Sequence, residues 1–101
     1  MNWNDCEIFC HVVEHGGFSA AANFLSHPKS SISSAVQRLE QQLDTRLLER
    51  TTRSVRVTEA GEILFRRTAP LFSGLHDACA EVLGSGREVT GTLRIASPYE
   101  F

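Results

Sequence analysis

The sequence predicts a mainly α-helical chain of three short helices, a two-stranded β-hairpin and one long final helix. Three observations carry this expectation. Apolar residues recur at helical spacing through the first 43 residues, as in Ile32, Val36, Leu39 and Leu43, the pattern of helices that bury one face. Val55-Arg56-Val57 alternates as a half-buried strand does, after the apolar pair Leu47-Leu48 and a polar connection. Beyond Thr58, Leu64, Leu71 and Ala78 lie seven apart, as do Leu75 and Val82, marking one apolar seam along a helix.

The first helix is expected to start at Asn4, which with Glu7 forms a capping pair, and to carry Cys6, Phe9, Val12 and Val13 inward. Gly16-Gly17 ends it. Ser19 is expected to cap a short second helix, Ala20 to Leu25, whose Ala21 and Ala22 allow close packing. Ser26-His27-Pro28 breaks that helix, and Pro28 suits the first turn of a third, which runs to about Leu43. Two helices joined by a tight turn, the second amphipathic, form a helix-turn-helix.

Leu47-Leu48-Glu49-Arg50 and Val55-Arg56-Val57 then flank the polar Thr51-Thr52-Arg53-Ser54 as a hairpin wing. The expected fold is therefore a winged helix-turn-helix, a three-helix core plus a two-stranded wing, followed by a long linker helix. Thr58 is placed to cap that helix, with Glu59 and Glu62 suited to its dipole. Reaching about Leu83, it would be ~38 Å long at ~1.5 Å per residue. Pro70 is expected to kink or divide it, Gly74 to weaken it and Gly84-Ser85-Gly86 to stop it. Gly91-Thr92-Leu93-Arg94-Ile95-Ala96 reads as a strand without a partner in this chain. The organisation expected is thus a winged domain over 1–58, a dimerisation helix over 59–86, and a hinge with the first strand of a further domain over 87–101.

The 101 residues are 42% hydrophobic and 22% charged, ordinary for a soluble globular protein, with no apolar run of spanning length. The N-terminus has neither a basic nor an apolar signal region, and three cysteines suggest free thiols in a reducing cytoplasm. The net charge of −2 is unevenly spread. Residues 1–26 carry three acids and no Lys or Arg. Residues 27–67 carry eight basic residues (Lys29, Arg38, Arg46, Arg50, Arg53, Arg56, Arg66, Arg67) against five acidic ones, a local +3. A duplex would feel that segment, because salt screens distant charge.

On the third helix, with Ile32 inward, Ser30, Ser34, Gln37 and Gln41 face outward, flanked by Ser33 and Arg38. This face is polar, short-chained and almost free of acid. Small hydroxyls near a helix start let the backbone approach a groove, and the helix terminus offers amides to phosphate. A solvated face with local hydroxyl bonds is the plainer alternative. Arg50 and Arg53 bracket the wing and can pair with phosphate or enter a narrow minor groove; as ordinary surface arginines they would only aid solubility.

Cys6, Cys10 and His11 lie close together on the first helix, yet Cys6 shares the apolar face and no complementary ligand pair accompanies them. No metal or other cofactor is expected, and Cys79 reads as a small hydrophobe. No nucleophile–base set or Gly-rich phosphate loop is present in the sequence, so an enzyme is not expected.

The run Gly17-Phe18-Ser19-Ala20-Ala21-Ala22 through Leu25, the stretch Ser31-Ile32-Ser33 with Val36 and Arg38-Leu39-Glu40, and Leu47-Leu48-Glu49-Arg50-Thr51 through Val57-Thr58-Glu59-Ala60-Gly61 resemble, in order, signatures of the LysR-type transcriptional regulators. Gly91-Thr92-Leu93-Arg94-Ile95 resembles the first strand of that family's effector-binding domain. The resemblance implies a sequence-specific DNA-binding regulator that meets a pseudo-palindromic operator as a homodimer. The linker helix would join the two chains through Leu64, Leu71, Leu75, Ala78 and Val82, and a full-length protein can pair further into a tetramer. It also implies that Lys29, Ser30, Ser33 and Ser34 face bases and that Arg53 enters the minor groove. Ser31, Gln37, Arg38 and Arg50 would position phosphates. A small-molecule effector would bind only the further domain.

Four residues depart from the family pattern. Pro28 stands for a usual serine cap, Lys29 for glutamine, Ser34 for arginine, and Asp44 for the glycine after the recognition helix. Losing an arginine at 34 removes a guanine reader. Two rivals remain open: a winged module for protein–protein assembly, and a metal or redox switch built on Cys6, Cys10 and Cys79.

Overall fold

The computed structural model describes residues 2–50 and 55–92, with side chains as far as Gly84. Among these residues the elements run α1 (Trp3–His15), α2 (Phe18–Leu25), α3 (Lys29–Leu43), β1 (Leu48–Arg50), β2 (Val55–Val57) and α4 (Glu59–Thr92). The expected three-helix core, wing and long helix are all present.

Helix α1 is capped two residues earlier than expected. Asn2, in extended geometry, accepts from the Asn4 amide at 2.9 Å and so satisfies one of the free N–H groups of the first turn. Gly16 closes the helix at φ 83°, its amide donating to the Val12 carbonyl; this left-handed position suits glycine. Helix α2 likewise begins early, at Phe18, with Gly17 as cap and no side-chain capping bond. Ser19 is inside the first turn rather than before it. Phe18 is buried, and burying an aromatic ring outweighs a single capping bond of ~1 kcal/mol. Helix α3 begins where Pro28 predicts and ends at Leu43, with Asp44 left-handed at φ 51°. A non-glycine residue there carries strain of ~1–2 kcal/mol.

The three helices pack on one another around Cys6, Phe9 and Val12 from α1, Ala21 and Ala22 from α2, and Ile32, Ala35, Val36 and Leu39 from α3. Leu47 and Leu48 complete this core. Each large side chain so buried contributes ~1.5–3 kcal/mol. Val13 and Leu43, expected inside, are only half-buried.

Among the described residues a charged group, Asp5, lies in this interior. The Asp5 carboxylate is 1% exposed and accepts a two-point bond from Arg38, Nε to Oδ2 at 3.0 Å and Nη2 to Oδ1 at 2.9 Å. The pair ties α1 to α3 across 33 residues of sequence. A carboxylate this deep is tolerable only when its charge is matched by such a fork.

The wing is antiparallel with Leu48 opposite Val57, Glu49 opposite Arg56 and Arg50 opposite Val55. Two side chains fix its root. Glu40 Oε2 accepts from the Leu47 and Leu48 amides at 2.8 and 3.1 Å. Thr58 donates its hydroxyl to the Arg46 carbonyl at 2.7 Å and accepts from the Gly61 amide at 3.0 Å, capping α4 as expected. Gly61 passes so close to Leu47 that a Cβ there would collide with the Leu47 carbonyl oxygen.

Helix α4 departs from expectation at its far end. It includes Pro70 within one helix, where the sequence expects a kink or a division, and it continues past the expected stop at Gly84-Ser85-Gly86 to Thr92. Each helical glycine costs only ~1 kcal/mol relative to alanine, too little to stop a helix that gains a bond with each added residue. Gly91 and Thr92 are helical, so no strand opens there; the rest of the expected strand, from Leu93, lies outside the described residues. The chain divides into two compact units, residues 1–69 and 70–101. In the second, Leu71, Leu75, Ala78, Val82 and Leu83 of α4 are exposed. No helix among the described residues is long and apolar enough to cross a membrane.

Candidate nucleic-acid interface

The third helix presents two unlike faces. Ile32, Ala35, Val36 and Leu39 are fully buried, while Lys29, Ser30, Ser31, Ser34, Gln37 and Gln41 are exposed. Because Cβ positions three and four apart share a face, the buried stripe forces this polar row outward. The row carries no acidic residue: Glu40, the helix's acid, is turned to the wing root. Pro28 leaves the start of α3 without a side-chain cap, so amides of its first turn stay open beside Lys29 and Ser30. Open amides and a lysine make a positive end.

Arg50 joins the wing to this face. Its Nη1 donates to Ser33 Oγ at 3.3 Å, and its guanidinium carbon lies 4.6 Å from the centre of the Phe18 ring. A cation over an aromatic face is held by the ring quadrupole, which fixes the guanidinium between α2 and α3. Ser33, expected among the base-facing serines, is half-buried and engaged with Arg50. Thus three elements converge where β1 leaves the core.

Arg38 is the expected site residue whose surroundings differ most from expectation. Its Nε edge and Nη2 are committed to Asp5, and that bond raises the guanidinium above its ordinary value. It is first a link between α1 and α3, with only its outer edge left to solvent. Neither Asp5 nor Glu40 was singled out from the sequence, because each acts on a partner distant along the chain. Arg53 lies outside the described residues.

The buried thiols form no open site. Cys10 Sγ lies 3.2 Å from Thr68 Oγ1, and its hydrogen bond with Cys6, together with burial, pushes the Cys10 thiol up. Such cysteines behave as small core residues. Cys79 is free and exposed. Of the expected seam, Leu64 is half-buried, whereas Leu71 and Val82 are each 69% exposed.

A helix-turn-helix whose second helix shows an exposed polar row, flanked by a hairpin wing, defines the winged helix-turn-helix class. The family profile described as "Bacterial regulatory helix-turn-helix protein, lysR family" matches residues 3–62. The chain belongs to that family, and these residues are its helix-turn-helix DNA-binding domain. It is 39% identical over 101 residues to the HTH-type transcriptional regulator PtxR of Pseudomonas aeruginosa, covering all of this chain and 32% of that protein. Among solved structures it is similar to full-length AphB, a virulence activator of Vibrio cholerae (TM-score 0.78, 33% identity), over 81% of this chain and 28% of that one. It is also similar to the BenM DBD in complex with catB site 1 DNA (TM-score 0.73, 26% identity), over 93% of this chain and 100% of that one. The chain thus spans about a third of the length of its full-length relatives.

Proposed function

We propose that this domain reads duplex DNA with the exposed row of α3 and grips the backbone with the wing root. The observation that carries the reading is the acid-free row Lys29, Ser30, Ser31, Ser34 and Gln37, standing opposite a fully buried stripe. Lys29, Ser30 and Ser34 face bases in the major groove, and Ser31 and Gln37 meet phosphates. Ser33 holds Arg50 toward the sugar–phosphate chain, with the free edge of Arg38 beside it. Arg53 enters the minor groove. The likeness to a DNA-bound BenM domain supports this docking.

The protein acts as a dimer in the cytoplasm, regulating transcription from a pseudo-palindromic site. Leu71, Leu75, Ala78 and Val82 form the apolar seam that joins two copies, with Leu64 at its domain end. Paired apolar ridges of this kind give coiled-coil contacts. A sensing domain, with its small-molecule effector, belongs outside residues 1–92. Sedimentation at micromolar concentration is expected to give a dimer, and Leu71→Glu with Leu75→Glu a monomer; a wild-type monomer would remove the seam from the account.

Selection of duplexes from a random pool tests the DNA reading itself. The expected product is a site with two related half-sites, centred a helical turn of ~34 Å or a multiple of it apart. Recovery of no common sequence at low salt, from protein verified as dimeric, would defeat it and favour a protein-assembly module.

A further inference from the structure

The end of α1 carries a side-chain group that DNA reading does not use. His11 and His15 are one helical turn apart with Glu14 beside them, and their rings stack at 5.8 Å between centres. Phe24 of α2 lies against both, 5.2 Å from the His11 ring and 4.4 Å from the His15 ring. One ligand atom from each of His11, Glu14 and His15 lies within 4.8 Å of the others. Carboxylates stand on both sides of His11: Glu14 Oε1 is 3.8 Å from its Nδ1, and Glu7 Oε2 is 3.9 Å from its Nε2.

Two ring nitrogens, His11 Nδ1 and His15 Nε2, are buried without a hydrogen-bond partner. Buried polar atoms are partnered as a rule, so two such nitrogens on one face, with a carboxylate in reach, call for a shared ligand. We propose that His11 Nδ1, His15 Nε2 and the Glu14 carboxylate bind one divalent cation of the zinc or nickel type. Imidazole and carboxylate together suit these metals. Bonds of ~2.1 Å place tetrahedral ligand atoms ~3.4 Å apart, a spacing that rotation of the exposed Glu14 and small turns of the rings can reach. Water completes the shell on the open side. Glu7 stands 3.9 Å from the other nitrogen of His11, where an outer carboxylate can orient the ring. Phe24 walls the rings on the α2 side, and the ion crosslinks two turns of α1 just before the Gly16 turn. The site is independent of the DNA reading.

The test is titration of Zn2+ and Ni2+ into the chain carrying Cys79→Ser, which removes the exposed thiol as a competing ligand. One ion per chain is expected, with affinity falling at least tenfold in His15→Gln and less in Glu14→Gln. Metal-free circular dichroism establishes that each variant is folded. Imidazole-nitrogen NMR of the unsubstituted histidines should shift at His11 and His15 and leave His27 and His76 unmoved. No binding at submillimolar metal, retention of full affinity in folded His15→Gln, or shifts confined to other residues would each overturn the proposal.

Discussion

Gly61→Ala is expected to lower the stability of the winged domain by about 3 kcal/mol, the upper range for overpacking a close contact. The added Cβ would fall on the Leu47 carbonyl oxygen and within 2.9 Å of Val57 Cγ1. The first obstacle is backbone, and it is pinned: the Thr58 amide donates to that same carbonyl at 3.0 Å. Neither side can give without breaking the junction of β1, β2 and α4. For a domain of this size the loss corresponds to a fall in Tm of roughly 12–24 °C. Thermal and urea unfolding of the two proteins measure it, and a fall of only a degree or two would contradict the packing described.

Glu40→Ala is expected to loosen the same root from the other side. Its carboxylate oxygen holds two successive amides, those of Leu47 and Leu48, and both residues are buried. Hydrogen bonds to a charged acceptor are each worth ~1.5–3 kcal/mol, and donors left unpaired inside cost comparably. A loss of about 3 kcal/mol follows, with faster hydrogen exchange at the Leu47 and Leu48 amides. Glu40→Gln keeps an oxygen acceptor of the same shape and should lose markedly less. Equal losses in the two variants would mean that the carboxylate acts by something other than these bonds. The wing carries Arg50, so Glu40 also governs where that guanidinium sits relative to α3, although Glu40 itself faces away from the polar row.

The elements were legible because their signals are local. Gly16 and Pro28 punctuate the chain by backbone geometry, and the Ile32, Val36 and Leu39 stripe sets which face of α3 is outward. Cap positions were less so: Asn2 and Asn4 both have capping side chains, and only the backbone at Asn2 decides between them. Phe18 entered α2 because of its burial, which no neighbouring residue reveals. The end of α4 was misread for a different reason, since Gly84 and Gly86 weaken a helix without supplying a stop. Long-range pairs were invisible. Nothing near Asp5 announces Arg38, and nothing near Gly61 announces Leu47. The same limit concealed the engagement of Ser33 with Arg50 and the way His11, Glu14 and His15 meet Phe24. What the sequence did supply for the site was the composition of one helix face and the local basic charge.

A salt titration of duplex binding separates the two proposed roles, base discrimination by α3 and phosphate contact by the wing root. The selected duplex and an unrelated one are compared for the wild type, Arg50→Ala and Lys29→Ala with Ser34→Ala. Arg50→Ala is expected to weaken both duplexes alike and to reduce the slope of log affinity against log salt by ~0.9 per lost phosphate contact. The α3 double variant is expected to narrow the gap between the two duplexes by ~1–3 kcal/mol per lost base contact. Binding that ignores salt, or that keeps its full discrimination in the folded α3 variant, would contradict these roles.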